Sequence, residues 1–243
     1  MTELIYEQPL NEKTRSYLRL EHLAEQLHDN LLHDQKHRCF YPLFSLCELT
    51  ERCDYRGEIL KDIDRQILSL TNTKQPHIDT QTTTQQINRL KEYRESLQSS
   101  ERLGTHLKQN RFLSALRQRF SMPGASCNFD LPQLHFWLAK PLEQRQREFQ
   151  QWISAFEAIL NPIQLLLQIT RETSSFRQET AHAGFFQGGS SEPLSLIRVK
   201  INANQGCYPT ISGHRNRYAI HFVMFEQQRH SDNAISFELA TCV

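Results

Sequence analysis

The chain lacks any run of about 18 apolar residues of the kind that crosses a bilayer as a helix, so no ordinary membrane span is expected. It also lacks a CxxC pair. Its six cysteines, at positions 39, 47, 53, 127, 207 and 242, are scattered, which favours reduced and mostly buried thiols over a disulfide framework. Phosphate-loop, dinucleotide, nucleophile-elbow and zincin signatures are missing, and the eight glycines include a single adjacent pair, Gly188-Gly189, leaving little material for a phosphate cradle. An enzyme is not expected, and no cofactor is implied. Nor is there an excess of charge of either sign, since 28 Lys and Arg face 27 Asp and Glu. A nucleic-acid binder needs several phosphate contacts and is normally visibly basic, so an anionic partner must be met by a local patch. The opening MTELIYEQPLNEK has early acids and no apolar signal core, which gives a cytoplasmic expectation.

What is present is a helical period followed by a strand period. Tyr17, Leu20, Leu23, Ala24, Leu27 and Leu31 recur at spacings of three and four behind Asn11, predicting a helix over 11–31. Leu43, Leu46 and Cys47 predict a second, and Ile59, Ile63, Ile67 and Leu70 a third after a break near Tyr55-Arg56-Gly57. The stretch TNTKQPHIDTQTTTQQ, 71–86, has almost no apolar residue and reads as an exposed loop. Helices are then expected from Ile87 to Leu97, over 101–120 up to Met122-Pro123-Gly124, and from Asp130 through Trp137, with Asp130 as cap. A long helix carrying Phe149, Trp152, Phe156 and Leu160 is expected to stop at Asn161-Pro162, with another running on towards Arg177.

Beyond Gly184 the apolar period becomes two. Ile197, Val199 and Ile201 alternate with polar residues, as do Tyr218, Ile220 and Phe222, and Ile235, Phe237 and Leu239. Leu4-Ile5-Tyr6 is a candidate edge strand for the same sheet. The expected fold class is α+β, with a helical domain over 10–180 and a smaller antiparallel β domain over 181–243, to which 3–8 adds a strand.

Three groups of residues offer chemistry. His28, His33, His37 and Cys39 have zinc-ligand side chains but no recognised spacing, and the residues between them read as solvated loop. The helix over 101–119 holds Arg102, Lys108, Arg111, Arg117 and Arg119 against Glu101 alone. A second basic cluster, His214-Arg215-Asn216-Arg217, sits in the turn before the Tyr218 strand. The metal set would suit a metal-dependent regulator and the basic helix a nucleic-acid binder; both stand as alternatives to a protein adaptor.

Five strings in order decide among these. PLNEKTRSYLRLEHL (9–23), RGE followed by LKDIDRQ (56–66), LRQRFSMPG (116–124), FDLPQLHFWL (129–138) and ISGHRNRYAIHF (211–222) together resemble the bacterial cell-division ZapD family, nearly end to end. The resemblance implies a cytoplasmic homodimer at the midcell division ring. It would bind the C-terminal tail of the tubulin-like protein FtsZ and bundle its filaments, without catalysis, metal, nucleic acid or membrane. It also implies a basic pocket for that tail, with Arg19, Arg56, Arg111, His135, Arg217 and His221 as the residues involved. His221 stands where a relative is expected to carry arginine, exchanging a fixed charge for a titrating one.

Overall fold

The computed structural model describes residues 2–32, 36–72, 80–99, 107, 109–120, 122, 124 and 126–243. The chain divides into two compact units, one formed by Leu20–Leu166 and the other by Met1–Arg19 together with Leu167–Val243. Its α+β class follows the expected order, helices first and strands last.

The helices are α1 (Glu12–Leu32), α2 (Phe40–Arg52), α3 (Arg56–Asn72), α4 (Thr80–Ser99), α5 (Arg111–Phe120), α6 (Pro132–Leu138) and α7 (Leu142–Glu172). Asn11 caps α1 as its sequence suggests, its Oδ1 accepting from the Thr14 N–H at 2.7 Å. The helical core is organised around Phe40, which is fully buried. The rings of Phe44, Phe112, Phe120, Trp137, Phe149 and Trp152 lie with centroids 5.2 to 6.1 Å from it. Such pairs favour edge-to-face and offset geometries and add to the burial term, so α2, α5, α6 and α7 are held by one aromatic cluster.

Three helix expectations need correction. The Thr/Gln stretch is not a loop over its whole length, because α3 reaches Asn72 and α4 already begins at Thr80. Gln86, Leu90 and Leu97 are buried on one stripe of α4, and with no Gly or Pro between 80 and 99 the helix extends outward from it. Residues 73–79 lie outside the described residues. Pro162 does not end a helix but sits inside α7. Phe156, Leu160, Ile163 and Leu167 are buried on both sides of it, so the apolar burial of this segment outweighs the missing N–H. Asp130 does not cap α6: Leu131 is the N-cap residue, and the Asp130 carboxylate accepts instead from Arg119 and from the Cys127 thiol.

The strands are β1 (Glu3–Pro9), β2 (Arg177–Ala181), β3 (Phe185–Gly189), β4 (Leu196–Asn202), β5 (Cys207–His214), β6 (Arg217–Met224), β7 (Arg229–His230) and β8 (Ile235–Cys242). They form two antiparallel sheets, one ordered β1-β4-β8-β2 and the other β3-β6-β5, with β7 also on β6. The N-terminal edge strand is real, Tyr6 standing opposite Val199. The expected helix towards Arg177 ends at Glu172, and Arg177–Ala181 is instead an edge strand of the first sheet.

Period-two alternation turns Ile197, Val199, Ile201, Phe237 and Leu239 of one sheet, and Tyr218, Ile220 and Phe222 of the other, into a common core. Phe237 seals it, its ring 5.1 Å from Phe222 and 5.3 Å from Phe186. Gly188 is required there because a Cβ would fall 2.4 Å from the Tyr218 hydroxyl oxygen.

Candidate functional site

The six sequence-predicted residues fall into two sets, one in each unit. In the helical unit, Arg111 opens α5, where the helix leaves the aromatic cluster, and His135 lies exposed on α6. The next residue after Arg111, Phe112, has its ring 6.1 Å from that of Trp137, two residues after His135, so the helices bearing the two positions are in contact. α6 is fixed by Glu148 of α7, which accepts from Trp137 Nε1 at 2.8 Å and from Lys140 Nζ at 2.7 Å. Burial pushes the Glu148 carboxyl up, but the donors Lys140, Trp137 and Gln144 outweigh it and hold the group below its usual range. Arg56 starts α3, its guanidinium 3.2 Å from the Asp54 carboxylate.

In the β unit, Arg19 is exposed on α1. Arg217 and His221 lie four residues apart on β6 and therefore on the same, outward face, while Tyr218, Ile220 and Phe222 between and beside them point into the core. The His221 ring lies 4.7 Å from that of Phe185, its cross-strand partner, and 4.8 Å from that of His230.

Pairing separates these cations from the others. Arg117 is gripped at both nitrogens by Glu51, at 2.7 and 3.0 Å, and this carboxylate raises its pKa above the usual arginine value. Arg119 reaches Asp130 at 3.3 Å. Two of the five cations of that stretch are thereby neutralised within the fold, while Arg102 and Lys108 lie outside the described residues. Arg19, Arg111 and Arg217, by contrast, have no ion-pair partner among the described residues.

Sequence reasoning missed the apolar side chains beside the basic ones. Phe136 is 71% and Phe129 81% exposed. The signal was there for Phe136, because Leu134 and Trp137 define the buried stripe of α6 and Phe136 falls off it; Phe129 precedes the helix. Among the described residues no group of three or more His, Cys, Asp or Glu could hold a metal, and of the histidine set the sequence offered, His33 and the side chain of His37 lie outside the described part. Cys39 is buried. No single helix among the described residues is long and apolar enough to cross a membrane.

Comparison with known proteins adds an independent finding. A family model described as "ZapD: Cell division protein" matches residues 18–221. "Cell division protein ZapD" of Shewanella sp. (strain MR-7) is 66% identical over 243 residues, covering all of both chains. The protein of the same name from Vibrio atlanticus (strain LGP32) is 41% identical over 241 residues, 98% of each chain. That from Vibrio cholerae serotype O1 (strain ATCC 39541 / Classical Ogawa 395 / O395) is 39% identical over 246 residues, all of both chains.

Proposed function

Because the chain belongs to the ZapD family of cell-division proteins, we propose that its part in division is that of a non-catalytic adaptor binding the acidic C-terminal tail of FtsZ. As a homodimer it would cross-link filaments at the midcell ring. The observation that carries this reading is that Arg19, Arg111 and Arg217 are exposed and without an ion-pair partner among the described residues, whereas the less exposed Arg117, Arg171 and Arg198 are each matched by a carboxylate. A guanidinium fork binds a carboxylate bidentately, so each of these side chains suits a carboxylate-bearing ligand. Arg56 and His135 add donors in the helical unit, and His221 in the β unit.

Magnitudes limit how the adaptor works. Exposed ion pairs contribute about 0 to 1 kcal/mol each, whereas micromolar binding requires roughly 8 kcal/mol, so charge alone is insufficient and apolar contacts must add to it. Ordering a disordered tail costs more again, which makes a single tail contact weak and quickly released. A dimer facing a filament offsets this through effective concentration, the second tail being captured within reach of the first. Bundling then follows from two-sided binding.

Cosedimentation of the purified protein with FtsZ, and with FtsZ lacking its C-terminal tail, tests the proposal, with light scattering to establish the dimer. Pelleting and bundling that require the tail are expected. Equal pelleting without the tail would overturn it, as would a monomer that still bundles filaments.

A further inference from the structure

The outward face of the second sheet carries an aromatic feature that the basic residues alone do not explain. Strand register places Thr210, Ser212 and His214 of β5, Arg217, Ala219, His221 and Val223 of β6, Phe185, Gln187 and Gly189 of β3, and His230 of β7 on this one face. None of these is an acid. The nearby Asp232 is engaged by Arg229 at 3.7 Å. Phe185 is 41% exposed although its neighbour Phe186 belongs to the core, so the strand spends one of two consecutive phenylalanines on solvent. Its ring rests against His221, which rests against His230, forming a row of three rings.

We infer that Phe185 is the apolar anchor of this face, receiving an apolar side chain of an extended acidic segment whose carboxylate reaches Arg217. The inference rests on the adaptor reading above and names the chemistry of one part of its surface. Charge complementarity selects the ligand: a face with an unpaired arginine, three imidazoles and no carboxylate at its strand positions disfavours a basic segment and accepts an acidic one. Geometry sets the spacing. Arg217 and His221 are four residues apart, about 13 Å along an extended strand, which is also the reach of an extended peptide between side chains four residues apart. Ala219 between them is small and leaves the path open. An exposed aromatic on the edge strand beside β6 supplies the area that surface ion pairs cannot.

Calorimetric titration of the full-length protein with a synthetic FtsZ C-terminal tail peptide provides the test. Three peptides are compared: the parent, one with its apolar residues replaced by alanine, and one with its acids replaced by amides. Phe185→Ala should weaken parent-peptide binding about tenfold and Phe185→Leu much less, both with unchanged thermal unfolding. Against the alanine peptide the Phe185→Ala loss should vanish, and against the amide peptide it should persist while that of Arg217→Ala disappears. Unaltered binding by Phe185→Ala overturns the inference while leaving the adaptor reading intact, and so does a loss that is the same for all three peptides. A parent protein that ignores the parent peptide overturns both.

Discussion

The two sheets of the β unit treat their outward charges in opposite ways. On the first, Glu7 accepts from Arg171 at 2.7 Å and from Arg198 at 2.9 Å, and Lys200 reaches Glu238 at 2.9 Å. Arg198 and Lys200 also lie over the ring of Phe176, at 5.0 and 5.1 Å. Arg198 keeps only 15% of its side-chain exposure and Glu7 19%, so these charges have largely left water and are compensated where they stand. On the second sheet Arg217 stays in solvent without an ion-pair partner among the described residues. A desolvated, matched cation belongs to the stability of the fold, whereas a solvated, unmatched one costs little to keep and remains available to a ligand.

The contrast is most severely tested at Glu7. Glu7→Gln leaves two arginines facing a neutral amide in a half-dry site, and urea unfolding should show a loss of roughly 2–3 kcal/mol, with tail binding by the folded protein unchanged. A loss below about 0.5 kcal/mol would place this network among ordinary surface pairs.

Arg217→Glu should do the reverse, with stability within about 0.5 kcal/mol of the parent and FtsZ-tail binding about tenfold weaker, or 1.4 kcal/mol. The same is expected of Arg111→Glu. Unaltered cosedimentation by both would erase the distinction drawn between the two kinds of cation.

Acid provides a milder probe of the first sheet. Burial pushes the Glu7 carboxyl up, but hydrogen bonds and charge from Arg171 and Arg198 outweigh it and hold the group below its ordinary value of 4.5. A depressed carboxylate contributes stability that is present above its unfolded value and is lost as pH falls through the folded one. The parent should therefore lose stability below about pH 4.5 more steeply than Glu7→Gln, as measured by unfolding at fixed ionic strength. The smallest effect belongs to His221. Exchanging its ring for a guanidinium, His221→Arg, should strengthen tail binding by less than tenfold in a peptide titration at about pH 7. A variant that binds as the parent does would remove His221 from the interaction.

How much of this could be read in advance follows from how local each signal is. The α1 cap and the alternation at Ile197–Ile201 and Tyr218–Phe222 are local, and they appear where the pattern put them. β2, with the sequence RQETA, was illegible because an edge strand with one buried residue carries no apolar period. Pro162 misled because a proline is read from its own chemistry, while the apolar burial that overrides it lies on either side. For the candidate site, residue types were legible and pairing was not. Arg111, Arg117 and Arg119 look alike in one short helix, and only the tertiary placement of Glu51 and Asp130 tells which are already occupied.

The N-terminal edge strand fixes the order in which the protein can be completed during synthesis. Glu7 and Arg198 are separated by 191 positions, and the sheet pairs that surround them join the same two distant segments. At about 5–20 residues per second, β1 leaves the ribosome on the order of ten to forty seconds before β4 exists. Leu20–Leu166 holds its own internal contacts and is synthesised within that interval, whereas β1 waits with unpaired backbone and with Leu4 and Ile5 uncovered. Glu3 and Glu7 flank those two side chains, and like charges on an unpaired strand disfavour its pairing with another copy of itself before β4 arrives.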